Sequence, residues 1–454
     1  MVGTVTEALR HIKAELAARL DAPAILALCH AVGYQWRARL LDPVTTVHLF
    51  ILQILHGNTA CTHLPHLAAQ RFTASAYCQA RTRLPLGVWQ QLLRQTSAVC
   101  EQTTHNEGRW RGHRTFFVDG ASFSMPDTPE RQEYFGQPSG QRPGCGFPVA
   151  HLLALFHAGT GFLLEVLAAP WNTHDMAEVA TLHATLRPED VLVGDRAFCS
   201  FAHLALLRQQ GLHAVFRVHQ RHMVDFTPSR PHTTPKPSAA QKGLPRSRWL
   251  CQLGVTDQLV EWGKPVRPPV HPPTWLTPAL CTALPAVLCV REVRYRVAPA
   301  GFRTQTVTLV TTLLEVDLYP ADALAALYHM RWQVETNLRH LKQTMGLDVL
   351  HCQRLVGVLK ELTVFALVDN LVRMVMLAAA QRQGVALERI SFVDALRWLS
   401  TARPGDPLPP LVVNPHRPDR VEPRAVKRRP KPYPLLMKPR REARNALIQQ
   451  PVGA

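Results

Sequence analysis

The stretch from Tyr328 to Lys342 reads Tyr-His-Met-Arg-Trp-Gln-Val-Glu-Thr-Asn-Leu-Arg-His-Leu-Lys and holds the residues best suited to chemistry. It lies between Pro320 and Gly346 in a run with no internal Gly or Pro, which reads as one long helix. At about 100° per residue, Leu324, Leu327, Val334, Leu338, Leu341 and Met345 fall on a stripe roughly 100° wide, the face to be buried. Tyr328, Arg331, Glu335 and Lys342 fall in a second arc, roughly 60° wide and centred about 60° from that stripe. Groups at such an edge are partly desolvated yet within reach of a ligand. One carboxylate, two cations and a phenol suit a metal-bound phosphodiester. Glu ligates Mg2+, Arg grips phosphate bidentately, Lys adds a point charge and Tyr donates a hydrogen bond. Taken alone, the spacing also describes an amphipathic helix with ordinary i,i+4 charge pairs.

Two further motifs precede it, Val118-Asp119-Gly120-Ala121 and Val193-Gly194-Asp195-Arg196. With Y-x2-R-x3-E-x6-K third in order, the pattern resembles the signature of the DDE transposases of bacterial insertion sequences, in the insertion-sequence-four family, over most of residues 40 to 440. The resemblance implies a ribonuclease-H-like α/β catalytic core interrupted by a β-rich insertion, with helical N-terminal and C-terminal regions. It implies that Asp119, Asp195 and Glu335 are catalytic and metal-ligating. They would hold two Mg2+ ions per active site, with Mn2+ as a substitute; Asp119 would bridge both, and Asp195 and Glu335 would each complete one. Two such ions about 4 Å apart serve the attacking oxygen, the phosphoryl charge and the departing 3′ oxygen.

By the same resemblance, water makes the first nick and the freed 3′ hydroxyl attacks the opposite strand to form a hairpin. Reopening and strand transfer complete a cut-and-paste movement. Tyr328, Arg331 and Lys342 would hold phosphates beside the nick. Arg217, on a strand 22 positions after Asp195, would contact DNA, as would Gln79, Arg81 and Arg83 in the segment 76–85. The implied partners are double-stranded DNA, as terminal inverted repeats and as target, and a second copy in a homodimer on paired ends, each site acting on the partner's DNA.

The elements that must position these residues follow from periodicity. Residues 1–105 read as helical, with amphipathic helices over Thr4–Leu20, Pro43–Leu55 and Leu86–Val99, and the resemblance implies that they form the DNA-end-binding domain. A strand over Thr115–Val118 delivers Asp119. A hairpin follows over Pro148–Phe156 and Phe162–Ala168, around Gly159-Thr160-Gly161. After a helix over Met176–Leu186, the buried strand Val191–Val193 delivers Asp195; a helix over Phe201–Gln210 and a strand over Ala214–Val218 complete the unit. Strands alternating with helices, and acids at strand ends, describe an α/β layer with ligands at the carboxyl edge of the sheet.

Glu335 comes 140 positions after Asp195, too many for a simple connection. The catalytic core is therefore assigned to 106–220 and 318–350, with a β-rich insertion at 221–317. That insertion opens on the Pro-rich, exposed linker Thr227–Arg246, and its strand-like runs are Trp249–Leu259, Ala286–Val297 and Thr304–Leu314. The resemblance implies that an aromatic of the insertion stacks a flipped base; Trp249, Trp262 and Trp275 are the candidates, though core packing suits each better. Residues 351–454 form a helical C-terminal region, with helices over Val358–Gln383 and Leu387–Leu399 and a basic, Pro-rich tail at 424–434.

A net charge of +18, from 51 Lys and Arg against 33 acids, calls for a polyanionic partner, of which nucleic acid is the first choice. The ten cysteines are scattered without a C-x2-C pair and read as reduced, mostly buried thiols of a cytoplasmic protein acting at the nucleoid. No H-E-x2-H or comparable pattern among the 22 His implies zinc. Arg10, Lys13 and Glu15 interrupt the first apolar run, unlike a signal peptide. Leu362–Ala380 contains Asp369 and Arg373 and reads as a buried core helix rather than a membrane span. Asp127 is assigned to a turn and Asp175 to a helix cap. Two other functions fit less well. A catalytically silent DNA-binding regulator derived from a transposase has no need of three intact acids. A carboxylate-pair glycosidase needs one acid protonated, which the cations flanking Glu335 oppose.

Overall fold

Val191–Gly194 is apolar along its whole length and buried at every position, as a strand covered on both faces must be. In the computed structural model, which describes residues 4–68, 70–103, 109–173, 175–233, 241, 243–266, 272–297, 305–415 and 437–449, this run is β5 of a ten-stranded sheet. It pairs in parallel with β2 (His113–Ser124) and with β6 (His213–Arg217). Beyond β2 the antiparallel hairpin of β3 (Val149–His157) and β4 (Leu163–Pro170) continues the sheet, and the short β1 (Arg109–Trp110) folds back onto the start of β2. Beyond β6 come β10 (Gln305–Thr311), β9 (Val287–Val297), β8 (Asp257–Gly263) and β7 (Arg248–Gly254), each antiparallel to its neighbour. The sheet is therefore mixed, parallel at its centre and antiparallel on both wings, in the order β4-β3-β2-β5-β6-β10-β9-β8-β7.

Successive side chains of β2 point to opposite faces, and each face has its own core. Phe116 and Val118 pack with residues of α9 (Asp175–Leu182) and α10 (Phe201–Gln209). Phe117 and Phe123 join a larger core centred on α14 (Leu355–Gln383). That core also takes in the N-terminal helices α1 (Thr4–Arg10), α2 (Ala14–Leu20), α3 (Ala22–Ala31), α4 (Pro43–Leu55) and α7 (Leu86–Thr103). A smaller cluster joins α4 to α5 (Leu64–Ala68) and α6 (Ala74–Arg83). The remaining helices are α8 (Pro129–Phe135), α11 (Pro278–Ala283), α12 (Ala321–Met330), α13 (Trp332–Arg339), α15 (Phe392–Thr401) and α16 (Arg440–Gln449).

Helix α14 is long and apolar enough to cross a membrane, but 94% of its most apolar stretch is buried inside the protein, so it is the core helix expected. Its Asn370 Nδ2 donates to the Leu163 carbonyl at 2.8 Å, and Oδ1 accepts from the Leu163 N–H at 2.7 Å, completing the backbone pairing at the start of β4. Asp369 pairs with Arg373 one turn on at 2.6 Å, so each buried charge has a partner.

Several expectations need correction. The segment 4–20 is two helices, because Lys13 is extended and the turn before it closes on the Leu9 carbonyl. Trp249–Leu259 is two strands, because the chain reverses at Val255-Thr256, where Val255 is 87% exposed. The run after Pro320 is not one regular helix. It passes from α12 through Arg331 into α13, then widens to a π turn over His340–Thr344 before Gly346 at φ +91°. The expected stripe is nevertheless buried throughout, from Leu324 at 0% to Met345 at 0% exposed. All ten cysteines are outside any disulfide, but only Cys29, Cys100, Cys145 and Cys352 are buried and the other six are half-buried. The basic segment 424–434 and residues 234–240 and 242 of the linker lie outside the described residues.

Candidate active site

The parallel pairing of β2 with β5 matches Val118 to Gly194, so Asp119 and Asp195 each follow one residue after the same rung. Gly194 has no room for a side chain: a Cβ there would come within 2.9 Å of Phe198 and 3.0 Å of Val118. The glycine of the G-D-R motif thus lets two neighbouring strands and the following turn close tightly beneath the acids. Asp195 Oδ1 accepts from the Ala197 N–H at 2.7 Å and caps that turn, while Asp119 Oδ1 accepts from the Gly120 N–H at 2.8 Å. Each carboxylate keeps a second oxygen for other work.

The third acid arrives on α13, and Arg331 joins it to the first. Arg331 is 7% exposed; its Nη1 donates to Asp119 Oδ2 at 2.9 Å, and its Nη2 lies 3.9 Å from Glu335 Oε1. Glu335 is about half exposed, at 54% of its side chain. Burial pushes the Asp119 carboxyl up to about 6; Arg331 and the Gly120 N–H oppose the rise, while Asp195 and Glu335 add to it. The three acids therefore share one electrostatic neighbourhood, in which the Arg331 guanidinium outweighs either neighbouring acid at Asp119 but not the cost of burial. Hard oxygen donors short of positive charge fit a divalent cation, and Asp119, Asp195 and Glu335 are the residues that could hold one.

Tyr328 is 3% exposed and bonds to Arg331; burial first, then the charge of Asp195, raise its phenol, against Arg331 and Arg217. Tyr295, also raised by burial, feels Tyr328, Arg217 and Arg331. Both phenols stay neutral, and the Tyr328 oxygen accepts from the Arg331 guanidinium. Arg331 Nε is buried and has no partner among the described residues, leaving one donor unspent. Lys342 pairs with Asp348 at 3.1 Å and lines, with Glu335, Gly120 and Ser122, a cleft of about 540 Å3.

The structure thus brings together Asp119, Asp195, Glu335, Tyr328, Arg331 and Arg217, with Lys342 lining the same cleft as Glu335. Arg81 and Arg83 lie elsewhere, on α6. Arg81 turns inward, donating to Gln53 Oε1 at 3.0 Å over the Phe50 ring, whereas Arg83 is exposed. Gln79 is exposed beside Ser75. Of the tryptophans, Trp262 is buried and donates to Glu292, and Trp275 donates to the Met176 carbonyl in the wall of a cavity that Asp195 also lines. Trp249 is half-buried. Two features escaped the sequence reading. Tyr295 becomes a neighbour of Tyr328 only through strand pairing. Arg37 and Arg39 line a cavity with Tyr34, Trp36 and Arg83, and there the alternation of aromatic and Arg in Tyr34-Gln35-Trp36-Arg37-Ala38-Arg39 was a usable signal.

A family model described as Transposase DDE domain matches residues 110–371, more than half of the chain and all three acids. The chain belongs to this family of DDE transposases. It is similar to the putative transposase InsZ of Escherichia coli K12, 31% identical over 138 residues, which is 30% of this chain and 46% of InsZ. It is similar also to the transposase InsG for insertion sequence element IS4 of the same organism, 24% identical over 384 residues, 80% of this chain and 78% of InsG. The chain therefore matches less than half of the first relative's length and more than three quarters of the second's. Among solved structures, a piggyBac transposase synaptic complex with hairpin DNA is 11% identical with a TM-score of 0.40, covering 87% of this chain and 76% of that one.

For this DDE transposase the raised Asp119 carboxyl has a signed consequence. With its folded value near 6 against an ordinary 3.8, the group favours the folded state below about pH 4, and that contribution is lost as pH rises through 6. Asp119→Asn mimics the protonated acid, so the metal-free variant is expected to be more stable than the parent above pH 6, by about 1–3 kcal/mol. The difference should vanish near pH 4. Thermal melts of the metal-free proteins across pH 4 to 8 check this; equal melting temperatures at pH 7.5 would refute it.

Proposed function

We propose that the protein is a Mg2+-dependent transposase that moves an insertion sequence by cut and paste, through strand cleavage, hairpin formation and strand transfer. The observation that carries this is the meeting of Asp119, Asp195 and Glu335 around Arg331. Divalent ions held by the three carboxylates, Mg2+ or Mn2+, would supply charge stabilisation at the phosphoryl oxygens and acidify an attacking hydroxyl. Arg331 holds Asp119 in place in the free protein, and its spare Nε points to a second duty on phosphate. Tyr328 keeps its proton, so while its oxygen accepts from Arg331 its O–H remains a donor for a phosphate oxygen. Arg217 adds positive charge near the phenols, and Lys342 meets the backbone within the cleft that Glu335 also lines.

In this reading 106–220 and 318–350 form a ribonuclease-H-like core, supported by the strand order β4-β3-β2-β5-β6 with its parallel centre. Residues 221–317 are an insertion whose strands extend the core's own sheet, and 351–454 form the C-terminal region. Residues 1–105 bind the element end, with Arg83, Arg37 and Arg39 as the contacts and Arg81 as a residue that braces them. The working form is a homodimer on paired terminal repeats in the bacterial cytoplasm.

The test is incubation of the purified protein with Mg2+ and DNA carrying the element's terminal repeats. Nicking at the repeat boundary that stops on chelation is expected; binding without any nicking would favour the silent regulator. Lys342→Ala should weaken end binding and flatten its salt dependence by about one in the slope of log affinity against log salt. An unchanged slope in a filter-binding titration would remove Lys342 from the phosphate path.

A further inference from the structure

At the opposite edge of the sheet from the acids, three residues far apart in sequence meet. His113 opens β2, Glu189 sits in the turn before β5 and His213 opens β6, and one donor atom from each lies within 4.8 Å of the other two. Asp119 stands six residues along β2 from His113, about 20 Å at strand rise, so the cluster is separate from the candidate active site.

We propose that His113, Glu189 and His213 form a binding site for a transition-metal ion of the zinc class. Two imidazoles and one carboxylate are a donor set such ions prefer, with a fourth position left to water. His213 Nε2 and Glu189 Oε2 are 3.2 Å apart, close to the roughly 3.4 Å between donors set about 2.1 Å from a tetrahedral ion. His113 Nδ1 donates to the Glu189 carbonyl at 2.7 Å, which fixes the tautomer and leaves Nε2 as the donor, now accepting from the Tyr319 hydroxyl at 2.7 Å. An ion would take that lone pair in place of the hydroxyl.

Glu189 is held at φ +71°, a left-handed conformation that costs a non-glycine residue energy and clusters at functional positions. Its own N–H donates to the Gly211 carbonyl at 2.8 Å, fixing the turn against the strand that carries His213. His213 Nδ1 is buried and has no partner among the described residues. The neighbouring cations do not stand in the way: Arg114 is bound by Asp190 and Glu101, and Arg187 lies 3.7 Å from Glu101. No sequence motif announces such a site, because strand pairing alone assembles residues 113, 189 and 213.

The experiment uses the full chain with Asp119→Asn, Asp195→Asn and Glu335→Gln, so that metal held by those acids does not enter. Titration with Co2+ alone, followed by visible absorption, is expected to saturate at one equivalent with the intense bands of a four- or five-coordinate ion, and Zn2+ should displace it. Adding Glu189→Gln or His213→Gln should weaken binding at least about tenfold. Glu189 is 73% exposed, so its replacement leaves the fold intact, which matching circular dichroism would verify. Absence of the bands, or binding unchanged by both substitutions, overturns the site, and neither result bears on DNA cleavage.

Discussion

Glu335→Ala is expected to reduce Mg2+-dependent nicking of end-bearing DNA by about 10^3-fold or more, with end binding nearly unchanged. Asp119→Ala and Asp195→Ala should do the same. The size follows from what a carboxylate does there: without it an ion is lost or misplaced, and with it the stabilisation of charge that forms only in the transition state. Retained binding follows from place. Glu335 is half exposed on one wall of a cleft, and removing an acid beside phosphate lessens repulsion. Asp119→Ala differs in one respect, because Arg331 loses its 2.9 Å ion-pair partner and keeps Tyr328 with a more distant Glu335. Single-turnover nicking and gel-shift titration, run together, decide the matter. A Glu335→Ala protein that cuts within tenfold of the parent rate would remove α13 from the site.

Glu361→Ala is expected to cost about 3–5 kcal/mol of stability, the largest loss from a residue remote from the acids. Glu361 is 0% exposed on α14 and collects three donors: Asn58 Nδ2 at 2.5 Å, the His351 N–H at 2.9 Å and the Cys352 N–H at 2.8 Å. Truncation would strand all three in a space closed to water. Lys360 beside it donates to the carbonyls of Arg81 and Thr82, so two consecutive residues of α14 pin the N-terminal helices and the segment after the π turn. Glu361→Gln keeps one acceptor and the shape, and should lose only about 1–2 kcal/mol. The midpoint of denaturant unfolding reads both changes. A loss below about 1 kcal/mol for the alanine variant would contradict this role.

Much of the site was legible because its carriers obey strong local rules. Val191–Val193 is too apolar to be anything but a doubly covered strand, and the apolar stripe from Leu324 to Met345 survives even where the helix is irregular. Side-chain direction was less legible. Arc arithmetic at about 100° per residue assumes a regular helix, and neither the junction at Arg331 nor the π turn at His340–Thr344 has a Gly or Pro to reveal it. Arg81 shows the same limit. The family resemblance marked it as a residue near DNA, but the Phe50 ring and Gln53 across from α6 draw it inward, and no local pattern encodes a neighbour 28 residues away. His113, Glu189 and His213 mark the extreme, since their meeting depends on the order of three strands.

Because β10 is laced to β6 over Val215–Arg217, and β6 to β5, the strands inserted between Asp195 and Glu335 continue the sheet whose centre bears two of the acids. The assembly is a single plank, with no hinge between the outer planking and the centre. A tug at β7 is felt at Asp195 through four intervening strands, so the insertion cannot swing like an arm. Whatever gives way during a working cycle must do so in the helical path at Arg331 or in the loops at the plank's ends.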